Sequence, residues 1–400
     1  RYAVDAFPCR FQAMSETSAV LDYLQSCQDA MLELLRELVL MESPSGQPEV
    51  LRPLLERLRD EFEARDYRVT LVPGRSSGGQ LYAAPRLRRK GHDTQLLLGH
   101  CDTVWPLGTL ASMPWQVEGN IARGPGIYDM KAGLVEMLFA LQALRELELE
   151  PVVNPVCLIN TDDEIGSRES TRYVRALARC VDRVLVMEPS LEPGGRLKTA
   201  RKGVGRFTVT IHGIAAHAGL DPGAGASAIL ELSHVIQTLF TLNDPQRGVS
   251  VNVGVIDGGV RPNVVAPESR AIVDVRVQSA VDAERIGSAI HGLQAQTPGV
   301  SLSIEGGIGR PPMERTPANR QLWTLATRLA GELALELDEG VAGGGSDGNT
   351  TSLYTATLDG MGAVGDGAHA AHEHIIIDEL PRRCALLAAL LLAPPLARAS

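Results

Sequence analysis

The chain has 400 residues, of which 44% are hydrophobic and 22% are charged, and its formal net charge at pH 7 is −10. This length and composition allow a large buried core and favour two domains over one. The acidic balance argues against nucleic acid or an anionic membrane as a partner, because binding phosphate groups requires clustered positive charge.

The first segment shows no secretory signal, and no apolar run along the chain is long enough to cross a membrane. The six cysteines are scattered without CxxC spacing, which favours reduced thiols in a cytoplasmic protein, and we expect Met14 to be the natural start. From residue 19 to about residue 66, apolar side chains recur at helical spacing, with a break at 43–46. This pattern predicts two helices at the start of the fold.

Three short apolar runs come next and predict the strands of a central sheet. They cover 95–98, 156–159 and 184–187, and helical patterns such as 130–147 separate them. Strands that alternate with helices are typical of βαβ units. We therefore predict an α/β fold with a mostly parallel sheet.

The pattern changes near residue 206 to an alternation of apolar and polar residues. The predicted elements are strand 206–212, helix 225–242, strands 249–256 and 270–278, helix 282–295 and strand 300–305. This β-α-β-β-α-β order is that of a ferredoxin-like unit. The sequence thus predicts an α+β domain at 202–309, inserted into a larger domain formed by 14–201 and 310–400. Two further helices are expected near 319–330 and from Leu380 onward.

Side chains that can bind metal follow each of the three predicted core strands. They are His100 and Asp102 after the first strand, Asp163 and Glu164 after the second, and Glu188 after the third. In open α/β sheets, ligands bind outside the carboxyl ends of the strands. Acids gathered at that edge repel one another and lose hydration unless a cation compensates them. The arrangement therefore predicts a metal site.

Two further segments offer ligands. Asp129 ends a glycine-rich turn just before the next predicted helix, and His369 opens a polar loop that also contains His372 and His374. Taken alone, Asp129 is more typical of a helix cap and His100 of an ordinary histidine at a strand end. The five segments together are much less expected by chance than any one of them.

The motifs resemble those of the dinuclear-zinc family of glutamate carboxypeptidases, aminoacylases and desuccinylases, most closely its folate-cleaving glutamate carboxypeptidase branch. The resemblance extends from about Leu35 to the end of the chain. It is carried by Gly99-His100-Cys101-Asp102-Thr103-Val104, Gly124 to Gly133, Asn160 to Ser167, Met187-Glu188-Pro189, Ala215-Ala216-His217-Ala218-Gly219 and Gly367-Ala368-His369. It implies a zinc-peptidase catalytic domain with an inserted dimerisation or lid domain.

The resemblance also implies two zinc ions per chain, although cobalt or manganese suit such ligands as well. Asp129 would bridge the two ions. His100 and Glu188 would complete one site, and Glu164 and His369 the other. Such metal pairs share a hydroxide that attacks the substrate.

Three more roles follow from the same resemblance. Asp102 would hold the ring of His100 in the tautomer that binds metal. The peptide bond between Asp129 and Met130 would be cis. His217 would reach across a homodimer interface and stabilise the oxyanion of the reaction.

The chain departs from the family at the general base, where Asp163 replaces the usual glutamate. The missing methylene shortens the reach by ~1.5 Å, one C–C bond. General-base catalysis requires hydrogen-bond contact with the attacking water. We therefore expect either a slightly rebuilt site or slow turnover.

Asn263 and Arg310 match family positions near the substrate, where an arginine can hold a carboxylate through two hydrogen bonds. A solvated hinge residue remains an alternative for Arg310. The run 343–349 looks like the family's glycine-rich substrate loop, although alone it predicts only a flexible turn.

The implied activity is zinc-dependent hydrolysis of an amide bond beside a free carboxylate, which releases a C-terminal amino acid such as glutamate. An N-acyl-amino-acid deacylase of the aminoacylase or desuccinylase type would use the same ligands. An inactive metal-binding relative is suggested only by Asp163, and a serine hydrolase using Ser346 lacks the GxSxG motif. The expected partners are a small-molecule substrate and a second copy of the chain.

Overall fold

The computed structural model describes residues 16–88, 91–192 and 194–396, so the predicted start at Met14 lies outside the described residues. The helices are α1 (Glu16–Ser26), α2 (Gln28–Leu40), α3 (Pro48–Glu63), α4 (Ala132–Glu146), α5 (Thr171–Ala178), α6 (Ala228–Phe240), α7 (Ala280–His291), α8 (Pro317–Glu332), α9 (Asp347–Thr351) and α10 (Glu379–Leu392). None of the helices in these ranges is both long and apolar enough to cross a membrane.

Within the described ranges the strands form four sheets. They are β1 (Tyr67–Val72), β2 (Gln80–Pro85), β3 (Thr94–His100), β4 (Gln116–Glu118), β5 (Ile121–Arg123), β6 (Asn154–Asn160), β7 (Arg183–Val186), β8 (Leu197–Arg201), β9 (Gly203–His212), β10 (Ser250–Gly258), β11 (Glu268–Val277), β12 (Ser301–Arg310), β13 (Glu339–Ala342), β14 (Ala356–Leu358), β15 (Gly365–Asp366) and β16 (His374–Ile376).

A sheet in the order β1-β2-β6-β3-β7-β14 forms the centre of the fold. β3 pairs in parallel with β6 and β7, and β14 with β7, whereas β1 and β2 run antiparallel. Leu97 belongs to the core shared with α4 and α10, while Leu96 and Leu98 pack on the opposite side with Val174 of α5. Because both faces are covered, these strands are continuously apolar. The predicted α/β fold with a mostly parallel sheet is confirmed.

The segment between β8 and α8 forms a second sheet, fully antiparallel, in the order β10-β11-β9-β12. Helices α6 and α7 cover one face, where Phe207, Val209 and Val273 belong to a separate core. The predicted β-α-β-β-α-β order is therefore observed. β9 begins at Gly203 and β12 ends at Arg310, close to the predicted limits of 202 and 309. The division of the chain into domains at those limits remains a prediction.

Some elements were not predicted. The first segment contains three helices rather than two, because a turn at Cys27, whose N–H donates to the carbonyl of Leu24, separates α1 from α2. Strands β1 and β2 extend the central sheet, and β15, β16, β5 and β4 form a small sheet of their own. The strands of this small sheet have two or three residues each, too few for a recognisable alternation.

Candidate metal centre

The five predicted ligands lie together at the carboxyl ends of β3, β6 and β7. His100 Nε2 is 3.3 Å from Asp129 Oδ1 and 3.2 Å from Glu188 Oε1. His369 Nε2 is 3.4 Å from Asp129 Oδ2 and 3.1 Å from Glu164 Oε2. Each carboxylate oxygen of Asp129 therefore faces a different histidine, and the residue stands between two half-sites. We call these five residues the ligand group.

The donor atoms of the ligand group suit divalent metal ions. Four tetrahedral ligands about 2.1 Å from a zinc ion lie roughly 3.4 Å apart, and the distances between the donor atoms run from 3.1 to 3.4 Å. Asp129 Oδ1 is buried and has no hydrogen-bond partner among the described residues. A buried carboxylate oxygen in that condition needs a cation to offset its lost hydration. The residues thus fit a pair of metal ions.

Without a metal, protons take the place of the cations. Burial raises the pKa of Glu164 to about 7. The carboxylates of Asp129 and Glu164 raise the pKa of His369 to about 10. Burial opposes the protonation of His100, but the surrounding carboxylates raise its pKa well above the ordinary value. Metal binding must displace these protons, so the affinity for metal should increase with pH.

A buried arginine fixes Glu188. Arg201, which is 3% exposed, donates from Nη2 to Glu188 Oε2 at 2.9 Å. It also donates to both carboxylate oxygens of Asp359, from Nε at 2.7 Å and from Nη2 at 2.8 Å. Burial and the negative charge of Asp129 act to raise the pKa of Glu188. The opposing effects of Arg201 and His100 are larger, so the pKa falls from its ordinary value to about 2. Arg201 therefore keeps Glu188 ionised and oriented toward the ligand group.

A second buried acid, Glu373, holds the turn that carries Asp129. Its Oε1 accepts hydrogen bonds from the backbone N–H groups of Tyr128 (2.9 Å) and Asp129 (3.1 Å). Its Oε2 accepts from the N–H of Gly126 (2.9 Å) and from Trp105 Nε1 (2.8 Å). Glu373 thus positions Asp129 without belonging to the ligand group, a role that the sequence did not reveal.

Asp102 lies beside the ring of His100, where it was expected. His100 Nδ1 is 3.0 Å from the carbonyl oxygen of Asp102 and 3.4 Å from its Oδ1, so the backbone makes the closer contact. Ser45 Oγ donates to the carboxylate of Asp102 at 2.6 Å. The peptide bond between Asp129 and Met130 is cis, as predicted.

Asp163 reaches the edge of the ligand group despite its short side chain. One of its oxygens lies within 4.8 Å of donor atoms of both His100 and Glu188. Its Oδ1 accepts hydrogen bonds from Arg310 Nη2 at 3.0 Å and Ser167 Oγ at 3.2 Å, and burial raises the pKa of its carboxyl group. Arg310, predicted to contact substrate, therefore also anchors the predicted base.

His217 and Asn263 are not brought to the ligand group within this chain. Both are exposed in loops of the inserted segment, and they lie beside each other because the N–H of Ala218 donates to the Asn263 carbonyl at 3.0 Å. His217 Nδ1 accepts from the N–H of Gly219 at 3.1 Å. Neither residue lines the two cavities that open at the ligand group.

Those two cavities meet at the ligand group. One, of about 380 Å³, is lined by Glu188, Lys198 and the glycines at 343–345. The other, of about 970 Å³, lies between the ligand group and the inserted sheet. Glu164 and His369 line both, so a molecule bound at the ligand group has room on either side.

Comparison with known proteins identifies the family of the chain. Residues 96–393 match peptidase family M20/M25/M40. The chain is 28% identical to carboxypeptidase G2 of Pseudomonas sp. (strain RS-16) over 376 residues, covering 91% of this chain and 89% of that protein. It is 26% identical to succinyl-diaminopimelate desuccinylase of Dinoroseobacter shibae over 374 residues, covering 86% and 94%.

Solved structures of other proteins share the fold of this chain. The aminopeptidase PepT from Bacillus cereus superposes with a TM-score of 0.75 at 20% identity, covering 91% of this chain and 98% of that chain. The matched region includes every residue of the ligand group. The chain therefore belongs to peptidase family M20/M25/M40 and is an enzyme of the metallo-carboxypeptidase and amidohydrolase type.

Proposed function

We propose that this enzyme uses two zinc ions to hydrolyse an amide bond next to a free carboxylate, releasing a C-terminal amino acid of the glutamate type. The observation that carries the proposal is the position of Asp129, whose two oxygens each face one histidine of the ligand group. The likeness to carboxypeptidase G2 along 91% of the chain supports a carboxypeptidase.

Bound metal ions would polarise the amide carbonyl and activate a water molecule. Asp163 Oδ1 is held by Arg310 and Ser167. Oδ2 is therefore our proposed acceptor for the proton of the attacking water, and Asp163 then donates this proton to the leaving nitrogen. Asp102 keeps the ring of His100 oriented through its Nδ1 side.

Arg310 is proposed to serve the substrate as well as Asp163. All of the hydrogen bonds that the structure shows from its side chain use Nη2. The structure shows no hydrogen bond from Nε or Nη1 to the described residues, so each of these donors can take one oxygen of a carboxylate. With Asn263, Arg310 would hold the free carboxylate of the substrate.

The role of His217 requires a second copy of the chain, so the proposal includes a homodimer. The inserted segment exposes large apolar side chains, among them Leu220 at 83%, Val260 at 71% and Leu230 at 51%. Large exposed apolar side chains such as these can supply the buried surface of a protein interface. Docking through this segment would bring His217 of one copy to the ligand group of the other.

An N-acyl-amino-acid deacylase remains the second candidate function. The likeness to succinyl-diaminopimelate desuccinylase, over 86% of this chain, supports it. Both types of enzyme hydrolyse an amide bond beside a carboxylate. They differ in which substrate groups the two cavities accept. The expected cytoplasmic location remains a prediction.

The test combines elemental analysis with hydrolysis of acyl-glutamates, acyl-alanines and dipeptides, before and after chelation and again after zinc is returned. We expect two zinc ions per chain and cleavage that chelation abolishes. His369→Ala should lose one of the two ions, while His372→Ala, in the same loop but outside the ligand group, should keep both. Two bound ions without cleavage of any compound would favour an inactive metal-binding relative.

A further inference from the structure

The inserted segment is joined to the rest of the chain by two connections that run side by side, residues 202–203 and 311–312, which we call the linkers. They lie between two antiparallel backbone pairs, Arg201 with Met313 on one side and Val204 with Arg310 on the other. A Cβ atom added at Gly203 would lie 2.7 Å from the backbone nitrogen of Pro312, so the linkers are in close contact. A change in the angle between the inserted sheet and the ligand group requires these residues to bend.

A buried asparagine ties the two linkers together. Pro311 and Pro312 have no N–H group, so neither can donate a backbone hydrogen bond to the opposite linker. Asn349 supplies a side-chain contact instead. Its Nδ2 donates to the carbonyl oxygen of Pro311 at 2.8 Å and to that of Lys202 at 3.2 Å. One amide group therefore holds a carbonyl of each linker.

Asn349 belongs to a closed ring of hydrogen bonds whose side chains are buried. Its Oδ1 accepts from the N–H of Ser346 at 2.9 Å, and Ser346 Oγ donates to Asp359 Oδ2 at 2.6 Å. The same oxygen of Asp359 accepts from Arg201 Nε at 2.7 Å, and Arg201 directly precedes Lys202 in the chain. We call these five residues the hinge ring.

The hinge ring is connected to the metal centre through Arg201. Its Nη2 donates to Glu188 Oε2 at 2.9 Å, while Glu188 Oε1 faces His100. A metal ion bound at Oε1 would fix Glu188 at both oxygens, so the carboxylate would also hold the guanidinium of Arg201 in place. Bending of the linkers that breaks the ring would displace Arg201 and loosen Glu188. A metal ion would therefore bind the intact ring more tightly and favour it.

We infer that Ser346 and Asn349 are positioning residues, which through the hinge ring make the position of the inserted segment depend on metal binding at Glu188. The inference rests on the proposed metal pair but not on the proposed substrate. It needs no contact between these two residues and the ligand group, because the buried hydrogen bonds form a continuous path.

The position of the linkers matters for the reaction. Arg310, whose Nη2 donates to Asp163 Oδ1 at 3.0 Å, directly precedes the linker 311–312. The larger cavity lies between the ligand group and the inserted sheet, so the angle at the linkers sets its width. The metal-loaded enzyme would thus hold the proposed base and the cavity more firmly than the metal-free enzyme does.

Hydrogen–deuterium exchange of the metal-free and zinc-loaded proteins tests the inference without turnover, with elemental analysis to confirm loading. The reporters are the N–H groups of Lys202 and Met313, both bonded to backbone carbonyls. Zinc should slow their exchange about tenfold, within the usual range for coupling between two sites. The N–H groups of Val209 and Val273, in the core of the inserted sheet, report general stabilisation and should change less.

Two variants open the hinge ring without removing a contact to Glu188. Asn349→Ala removes the amide between the linkers, and Ser346→Ala removes the hydrogen bond to Asp359. In both, the effect of zinc on the linkers should fall to the general change seen in the inserted sheet. The control is Asn319→Ala, because Asn319 is a buried asparagine with three hydrogen bonds at 2.8–2.9 Å outside the ring. This control should keep the full effect.

Equal exchange at the linkers with and without zinc in the unchanged protein would overturn the inference, as would a full zinc effect that survives in both variants. If Asn349→Ala does not fold, Ser346→Ala decides, because it leaves the amide between the linkers in place. A zinc effect in a protein that hydrolyses none of the tested compounds shows that the proposed hydrolysis is wrong while the inference stands. Hydrolysis by a zinc-loaded enzyme whose linkers do not respond gives the opposite result.

Discussion

Replacement of Glu373 by glutamine is expected to weaken metal binding without changing any member of the ligand group. Each carboxylate oxygen of Glu373 accepts two hydrogen bonds, from Tyr128 and Asp129 on one side and from Gly126 and Trp105 on the other. An amide has one acceptor oxygen, so two of the four donors would face an NH₂ group in either orientation. A buried donor without an acceptor costs about 1–3 kcal/mol, which gives roughly 2–6 kcal/mol for the turn.

Part of this energy is lost from metal binding, because the turn carries Asp129. We expect the affinity for metal to fall about 10- to 100-fold, the usual scale for loss of an outer hydrogen-bond partner. Competition with a chromogenic chelator measures it. Trp105→Phe is the matched control, since it removes one donor but leaves the carboxylate and its three backbone hydrogen bonds. Unchanged affinity in a folded Glu373→Gln protein would refute this reasoning.

Three further substitutions test other parts of the structure. Asp163→Asn should abolish hydrolysis while elemental analysis still finds the full metal content, and an unchanged rate would place the general base elsewhere. Arg201→Met removes the buried guanidinium that Glu188 and Asp359 share, and urea denaturation of the metal-free protein should show a loss of about 3–5 kcal/mol. Glu136 is fully buried with no hydrogen-bond partner for either side-chain oxygen among the described residues, and burial raises its pKa well above 4.5. Below pH 4.5 Glu136 is protonated in both the folded and the unfolded chain, so its burial costs little. Between pH 4.5 and the raised pKa only the unfolded chain loses the proton, so the free energy of unfolding falls as pH rises through this range. Glu136→Gln should therefore stabilise the protein by an amount that is small near pH 4.5 and grows by about 1.4 kcal/mol per pH unit above it, as measured by denaturation at several pH values.

The central sheet and the inserted sheet could be predicted because their strands carry strong patterns. Leu96, Leu97 and Leu98 are continuously apolar because both faces of the parallel sheet are covered. Phe207 and Val209 alternate with polar residues because one face of the inserted sheet is open. The turn at Cys27 and the short strands β4, β5, β15 and β16 have no such periodicity, so tertiary contacts decide them.

Three members of the ligand group, His100, Glu164 and Glu188, could be placed together from the sequence because they follow strands that end at one edge. Asp129 and His369 do not follow those strands, and only the family resemblance implied their roles.

The residues that support the ligand group could not be predicted. Glu373 meets Gly126 and Arg201 meets Asp359 only in the folded chain, and each pair is separated by more than a hundred residues. Buried contacts of this kind leave no local pattern in the sequence. The pairing of Arg310 with Asp163 was missed for the same reason.

The order of the ligand group along the chain bears on how the enzyme is made. His100, Asp129, Glu164 and Glu188 precede the inserted segment, whereas His369 and the supporting Glu373 follow it. A chain emerging from the ribosome therefore exposes four ligands long before the fifth has been synthesised. Because Asp129 is held in place by Glu373, its turn also stays unsupported until then. The ligand group is thus completed late in biosynthesis, only after the inserted segment has been synthesised.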